Sequence, residues 1–188
     1  MVKEIVCDTS AIITLFSSYY LSGSEKEYLH GLEQYRLIAS NLVYSELEDF
    51  AACDDILGLY AHKSLSYGID FLSVELKDIE RYKKILGVAG RRGITDCDIS
   101  GLCLSIDRNI PFFIDDFKAQ FHFSSFFGDR DIFFGVLLVC SILAEFMSEI
   151  EVFGFIFDKL VPNRWKNISL RNLLTIKHAV SEYLTHSI

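Results

Sequence analysis

Short apolar runs alternate with helical patterns along most of the chain, and this alternation constrains the fold more than any other feature. The runs have the length of buried strands, and four of them lie at 3–7, 36–39, 69–74 and 112–114. A fifth is expected at 131–134. Between them, apolar residues recur at helical spacing, which is typical of parallel strands joined by crossover helices. The alternation therefore predicts an α/β protein with a mostly parallel, five-stranded sheet covered on both faces.

A single domain is expected to account for the whole chain. Its 188 residues allow one sizeable core. No internal repeat, low-complexity tract or linker divides the sequence, and everything after Gly135 is helical in pattern. We therefore expect one domain over residues 1–188, with a helical extension that begins at about residue 145.

The sequence has no feature that is typical of an exported or membrane-bound protein. Its first residues lack the basic region and apolar core of a signal peptide. The longest apolar stretch, 133–146, contains Glu145 and is shorter than the roughly 20 residues of a membrane span. The five cysteines include no C-x-x-C pair, which favours free thiols in a reducing compartment. We expect a cytoplasmic protein that does not enter a membrane.

Acidic residues follow predicted strands or open predicted helices at four separate places. These are Asp8 after the first strand, Glu46 early in the helix after the second, Asp96 and Asp98 in the first turn of the helix before the fourth, and Asp115 and Asp116 after the fourth. The carboxyl ends of parallel strands meet at one edge of a sheet, where α/β proteins bind their ligands. We therefore expect these carboxylates to converge.

Converging carboxylates point to metal chemistry. They repel one another unless a cation neutralises them, and an all-oxygen ligand set selects Mg²⁺ or Mn²⁺. Two such ions can activate water and stabilise an in-line phosphoryl displacement. Taken singly, each acid also fits a turn or a helix cap. The set as a whole predicts metal-assisted hydrolysis of a phosphodiester.

The order of these motifs resembles that of the PIN domains. The matching segments are Ile5-Val6-Cys7-Asp8-Thr9-Ser10, Leu42-Val43-Tyr44-Ser45-Glu46-Leu47, Asp98-Ile99-Ser100-Gly101-Leu102-Cys103-Leu104 and Phe112-Phe113-Ile114-Asp115-Asp116. The resemblance covers roughly residues 1–143. One departure is Ile114, because PIN domains often have Thr or Ser two residues before the last Asp. Asp115 either replaces that residue or is itself the ligand.

The resemblance implies a three-layer α/β/α fold and Mg²⁺- or Mn²⁺-dependent cleavage of RNA. The catalytic metal ligands would be Asp8, Glu46, Asp98 and Asp116, with Asp96 and Asp115 as alternative or additional metal ligands. Thr9 or Ser10 would hydrogen-bond a ligand or a phosphate. Many small members of the family are toxins held inactive by an antitoxin, and many are homodimers. The implied partners are therefore RNA, an antitoxin protein and a second copy of the chain.

Other features bear on substrate binding and assembly. Arg91 and Arg92 flank the acidic helix and are candidate phosphate contacts, although solvated loop charges are the alternative. The Phe-rich segment 117–127 offers aromatic rings for base stacking or, as we favour, for packing. Apolar residues at 133–146 and 152–160 predict a homodimer through the C-terminal half.

The net charge and the first motif leave rival readings open. A net charge of −8 argues against a broad basic surface, although bound cations would invert the local field. One alternative is a catalytically inactive PIN-like module that binds protein or RNA. Another is a phosphatase of the haloacid dehalogenase type, which needs an Asp where this chain has Ser10.

Overall fold

The computed structural model describes residues 2–88, 93–127 and 132–186. Within these ranges, five parallel strands form one sheet in the order β3-β2-β1-β4-β5. The strands are β1 (Lys3–Cys7), β2 (Tyr35–Ser40), β3 (Asp70–Leu72), β4 (Phe112–Phe113) and β5 (Ile132–Phe133). The predicted α/β class and parallel sheet are confirmed, and β1 lies at the centre.

Helices cover both faces of the sheet and give a three-layer α/β/α arrangement. They are α1 (Thr9–Ser22), α2 (Glu25–Leu32), α3 (Asn41–Ala51), α4 (Ile56–Leu65), α5 (Leu76–Ile85), α6 (Asp96–Arg108), α7 (Phe117–Phe127), α8 (Gly135–Leu143), α9 (Glu149–Gly154), α10 (Val161–Arg164) and α11 (Leu170–His186). A π-helical segment, Phe155–Leu160, joins α9 to α10. None of the helices in the described ranges is both long and apolar enough to span a membrane.

The alternation of side chains along β1 creates two cores. Ile5 and Cys7 belong to one core, which also contains α1, α8 and apolar residues of α9 and α11. Val6 points to the opposite face and belongs to the second core, with α5, α6 and α7. Successive residues of a strand point to opposite faces, so one short strand anchors helices on both sides.

The sequence pattern predicts one helix from residue 41 towards His62, and this prediction is wrong. The structure divides it into α3 and α4, because the Asp55 side chain caps a new helix by accepting a hydrogen bond from the Gly58 amide at 2.8 Å. A side-chain cap of this kind satisfies a backbone donor at a helix start and favours initiation there. The interruption places α4 against α1 on one face of the sheet.

Many residues of the apolar C-terminal runs are buried within the chain itself. Val136, Val139 and Ile142 of α8 are fully buried, as are Val152 and Ile156. All of them belong to the core that contains α1. Phe133 and Leu137 are only partly buried and line an apolar groove of about 660 Å³. The homodimer through the C-terminal half stays a prediction.

Candidate active site

A cavity of about 180 Å³ opens at the carboxyl edge of the sheet, and four carboxylates line it. They come from four places in the chain, namely Asp8 after β1, Glu46 on α3, Asp98 on α6 and Asp116 between β4 and α7. Thr9, Ser10, Thr95 and Cys97 also line this cavity. Because β1 is the central strand, Asp8 lies in the middle of this edge.

Asp8 is fixed by hydrogen bonds from the first turn of α1. Its Oδ1 accepts the Ala11 amide at 2.7 Å, and the Ser10 hydroxyl donates to Oδ2 at 2.7 Å. The Ser10 oxygen in turn accepts the Asp115 amide at 2.8 Å, which ties the end of β1 to the end of β4. Ser10 is therefore engaged within the protein and orients Asp8.

Burial dominates the electrostatics of Asp8. Its side chain is almost completely enclosed, which raises its pKa well above the ordinary value, and the charges of Asp98 and Asp115 raise it further. The hydrogen bonds from Ala11 and Ser10 oppose this shift because they favour the ionised carboxylate. A bound cation would favour that ionised form still more strongly.

Asp98 is held by a capping box at the start of α6. Its Oδ2 accepts the Thr95 amide at 2.6 Å and the Thr95 hydroxyl at 2.9 Å, while the Asp98 amide donates back to that hydroxyl at 3.2 Å. Burial raises the pKa of Asp98 to about 6, and the charges of Asp116 and Glu46 add to the effect. The two carboxylates that repel Asp98 therefore lie near it across the cavity.

Small residues on α6 let the helix approach the sheet and so position Asp98. A Cβ atom on Gly101 would lie 2.6 Å from Cε2 of Phe112, so only glycine fits against the β4 ring. The Ser100 hydroxyl hydrogen-bonds the Ser40 hydroxyl at the end of β2. These contacts set the position of the helix whose first turn carries Asp98.

Two carboxylates have an oxygen available to a ligand. Asp116 Oδ1 accepts the amides of Lys118 and Ala119 at 2.8 and 2.9 Å and caps α7. Among the described residues, no group donates a hydrogen bond to Asp116 Oδ2 or to Asp98 Oδ1, and neither oxygen is a buried orphan. Both oxygens are accessible while the rest of each carboxylate is held by the protein.

Glu46 completes the set of four. The Thr9 hydroxyl donates a hydrogen bond to its Oε2, and the Cys97 sulfur lies 3.6 Å from the same hydroxyl. Burial raises the pKa of Cys97, so its thiol is protonated at neutral pH. Thr9 therefore orients Glu46, and Cys97 is not available as a thiolate nucleophile.

Asp96 and Asp115 do not line the cavity. Asp96 is half-exposed and forms an ion pair with Lys83 at 2.6 Å on the outside of α6. Asp115 is buried on the other side of the sheet edge, where its Oδ1 accepts the Val136 amide of α8 at 3.4 Å. Of each neighbouring pair considered from the sequence, the structure brings only Asp98 and Asp116 to the cavity.

Asp115 is a buried carboxyl with incomplete hydrogen bonding. Its Oδ2 has no hydrogen-bond partner among the described residues. Burial raises its pKa to about 6, against the opposing effects of the Arg164 charge and the Val136 amide. Its position beneath the cavity makes it a neighbour of Asp8 rather than a cavity ligand.

Arg164 lines the cavity, and the sequence patterns did not identify it. Its side chain reaches in from α10, where Nε donates to the Thr14 hydroxyl at 3.1 Å and an Nη donates to the Ser10 carbonyl at 3.4 Å. Burial lowers its pKa, whereas the charges of Asp115 and Asp8 raise it. No motif links this residue to acids so far upstream, because the contact exists only in the folded chain.

The cavity has the donor chemistry for a hard cation, although its carboxylates are not closed around one point. Within the described ranges, no group of three or more His, Cys, Asp and Glu side chains stands close enough to hold a metal ion as placed. The donors are nonetheless all carboxylate oxygens, and Asp98 Oδ1 and Asp116 Oδ2 accept no hydrogen bond from the described residues, which fits Mg²⁺ or Mn²⁺ bound with additional water. Arg91 and Arg92, predicted to contact phosphate, lie outside the described residues.

No protein-family model, curated protein or solved structure matches the chain. The resemblance to PIN domains therefore depends on the four motifs and stays a prediction.

Proposed function

We propose that the protein is a divalent-metal-dependent endoribonuclease that hydrolyses phosphodiester bonds in RNA by a PIN-like mechanism. The observation that carries the proposal is the convergence of Asp8, Glu46, Asp98 and Asp116 on one cavity from four separate elements. The raised pKa values of Asp8 and Asp98 add support, since bound Mg²⁺ or Mn²⁺ would relieve the repulsion that contributes to both.

The residues of the chain would bind and orient the reactants. Bound metal ions supply charge stabilisation and lower the pKa of a coordinated water. Asp98 and Asp116 would offer their partner-free oxygens as ligands, while Asp8 and Glu46 are held rigidly by Ser10 and Thr9. Rigid, preoriented groups stabilise developing charge without having to reorganise during the reaction.

Arg164 supplies a positive charge that the acidic residues alone lack. Its guanidinium lines the same cavity and is held by the Thr14 hydroxyl and the Ser10 carbonyl. A guanidinium is suited to contacting a phosphate through two parallel donors. In this proposal it orients the scissile phosphate and balances part of the carboxylate charge.

A catalytically inactive module that binds RNA or protein is the second candidate. Two observations favour it. Among the described residues, the carboxylates are not gathered closely around one point, and the positively charged guanidinium of Arg164 lines the same cavity. The haloacid dehalogenase reading has less support, because Ser10 stands at its acid/base position and donates a hydrogen bond to Asp8. A toxin role with an antitoxin partner, and a homodimeric state, are further proposals that rest on the resemblance.

Substitution of the central carboxylate tests the proposal. Asp8→Asn preserves shape but removes a charge, so it should reduce Mn²⁺-dependent cleavage of end-labelled single-stranded RNA at least about a hundredfold. The matched control is Asp96→Asn, which removes a carboxylate paired with Lys83 outside the cavity and should keep most of the activity. EDTA should abolish cleavage by the parent protein.

Three outcomes are informative. Loss of cleavage in Asp8→Asn but not in Asp96→Asn supports the assignment. Equal cleavage by parent and Asp8→Asn proteins would reveal a contaminating nuclease and remove the active-site proposal. A parent protein that binds Mn²⁺ but cuts none of a panel of single-stranded and hairpin RNAs would favour the inactive module.

A further inference from the structure

The basic residues of this acidic chain are unevenly distributed. Segments 117–127 and 159–181 contain six of the 18 Lys and Arg residues and none of the 26 Asp and Glu residues. The six are Lys118, Lys159, Arg164, Lys166, Arg171 and Lys177. A net charge of −8 therefore coexists with two segments that are purely basic, and these segments are far apart in the sequence.

The fold brings parts of the two segments together in one groove. α7 and the start of α11 enclose a groove of about 590 Å³, whose lining includes Phe117, Lys118, Phe121, His122, Arg171 and Asn172. The Arg171 guanidinium lies 5.8 Å from the centre of the Phe121 ring. Among the described residues, no carboxylate lines this groove or forms an ion pair with Lys118 or Arg171.

Residues that line the groove adjoin residues that line the carboxylate cavity. Asp116 lines the cavity and accepts the amide of Lys118, which lines the groove. On the other side, Arg164 lines the cavity and the next residue, Trp165, packs edge-on against Phe117 at 6.4 Å between ring centres. A chain lying in the groove would therefore leave it beside Asp116 and Arg164, which line the cavity.

We propose that this groove is the track that holds single-stranded RNA as it enters the carboxylate cavity, with a base stacked on Phe121 and phosphates beside Lys118 and Arg171. The inference deepens the proposed ribonuclease function and rests on it. Phe121 is 42% exposed, so part of its side chain beside the Arg171 guanidinium can contact an unpaired base. A base inside a duplex is already stacked and paired, so the occupant is a single strand rather than a helix.

Charge complementarity distinguishes RNA from an apolar partner. Lys118 and Arg171 are not neutralised by any described carboxylate, whereas Arg36 and Lys83 elsewhere on the surface form ion pairs. Unpaired cations next to an exposed aromatic ring suit a backbone that alternates phosphates with bases. The phenylalanines of α7 therefore have different roles. Phe123 is fully buried and packs in the core, whereas Phe121 lines the groove.

Binding in EDTA tests the track without cleavage. Fluorescence anisotropy would measure the affinity of a fluorescein-labelled, 12-nucleotide single-stranded RNA for the full chain at several salt concentrations. We expect Phe121→Ala to weaken binding about tenfold or more. Lys118→Gln and Arg171→Gln should each weaken binding and reduce the slope of log affinity against log salt by about one.

Matched controls isolate the groove from general effects. Phe126→Ala removes an exposed ring of the same helix that does not line the groove, and Lys84→Gln removes an exposed cation on α5. Neither variant should change the RNA affinity by more than about twofold, because neither side chain would contact an RNA strand bound in the groove. Circular dichroism and melting temperature would confirm that each variant is folded.

The outcomes separate this inference from the ribonuclease proposal. Parent-like RNA affinity in Phe121→Ala and Arg171→Gln, equal affinity for duplex RNA, or no RNA binding by the parent would each overturn the track. A change in oligomeric state in these variants with unchanged RNA affinity would instead identify the groove as a contact between copies of the chain. Failure of the ribonuclease proposal itself would appear as Mn²⁺-dependent cleavage that survives Asp8→Asn, whatever the groove variants do.

Discussion

Asp115 and Asp116 are adjacent in the chain but lie on opposite sides of the sheet edge, because successive residues of extended backbone point in opposite directions. Asp116 caps α7 and lines the cavity, whereas Asp115 is buried beside α8. Asp96 and Asp98 differ in the same way, since a two-residue step on a helix turns a side chain to another face. In both pairs, the local backbone geometry decides which carboxylate lines the cavity.

The raised pKa of Asp98 predicts that the metal-free protein loses folding stability as the pH rises. Its folded pKa of about 6 lies above the ordinary value of 3.8, so the folded state binds a proton more tightly than the unfolded chain. The free energy of unfolding should therefore fall as the pH rises from about 4 to 6 and stay reduced above that range. The size of this penalty is on the order of 2–3 kcal/mol.

Asp98→Asn should remove that penalty. In EDTA at pH 7.5, the variant should melt roughly 4–10 °C above the parent, and the difference should vanish below about pH 4, where Asp98 is protonated in both states. Asp96→Asn is the matched control, because Asp96 is half-exposed and paired with Lys83. Calorimetry across this pH range is the measurement, and a pH-independent difference would show that burial of the charge is not its cause.

The sequence identified the four carboxylates that line the cavity but not Arg164, which lines it too. Asp8, Glu46 and the two acidic pairs were found because each follows a strand or opens a helix, which is a local signal. The resemblance implied Asp98 and Asp116, with Asp96 and Asp115 as alternative or additional ligands, and the structure places only Asp98 and Asp116 at the cavity. Arg164 left no local signal, because it reaches the cavity through the packing of α10 against α1 residues such as Thr14.

At the scale of elements, the close packing of α6 against β4 positions the carboxylate of Asp98. Gly101→Ala would place a Cβ 2.6 Å from the Phe112 ring, and overpacking of this kind typically costs 1–3 kcal/mol. We expect a melting temperature lower by roughly 2–12 °C and reduced cleavage, since α6 must shift and take Asp98 with it. Thermal melting and the cleavage assay together measure both effects.

Gly154→Ala is the matched control for that substitution. Gly154 lies in α9, and its nearest potential Cβ contact is the Asp158 carboxylate at 3.8 Å, which is ordinary van der Waals separation. Alanine favours helical backbone by roughly 0.5–1 kcal/mol over glycine. Gly154→Ala should therefore be neutral or slightly stabilising, and an equal loss in both variants would contradict the steric account of Gly101.

Element boundaries show which sequence signals are sufficient. The bounds of β1 were predicted because a β-branched run is a local feature. The break between α3 and α4 was missed, since residues 41–62 carry a nearly continuous helical pattern. Asp55 caps a new helix there, and the packing of α4 against α1 stabilises the change in chain direction.

At the scale of the whole molecule, the charges are segregated. Four carboxylates line the cavity, while α7 and the segment from 159 to 181 contain basic residues and no acidic ones. The net charge of −8 therefore does not describe the surface next to the cavity. The apolar C-terminal runs are likewise only partly a surface feature, because the core that contains α1 buries Val136, Val139 and Ile142 of α8.

Metal binding should stabilise the whole fold if the carboxylates hold cations. A ligand that binds only the folded state at a hundredfold over its Kd adds about 2.7 kcal/mol, which for a domain of this size corresponds to roughly 5–10 °C. We expect Mn²⁺ to raise the melting temperature of the parent by this amount at pH 7.5. Asp96→Asn should show the same shift, because its carboxylate lies outside the cavity. Asp8→Asn should show a much smaller one, because it removes the central charge of the cavity. Equal shifts in all three proteins would mean that Mn²⁺ binds elsewhere, and the four-carboxylate site would then lose its support.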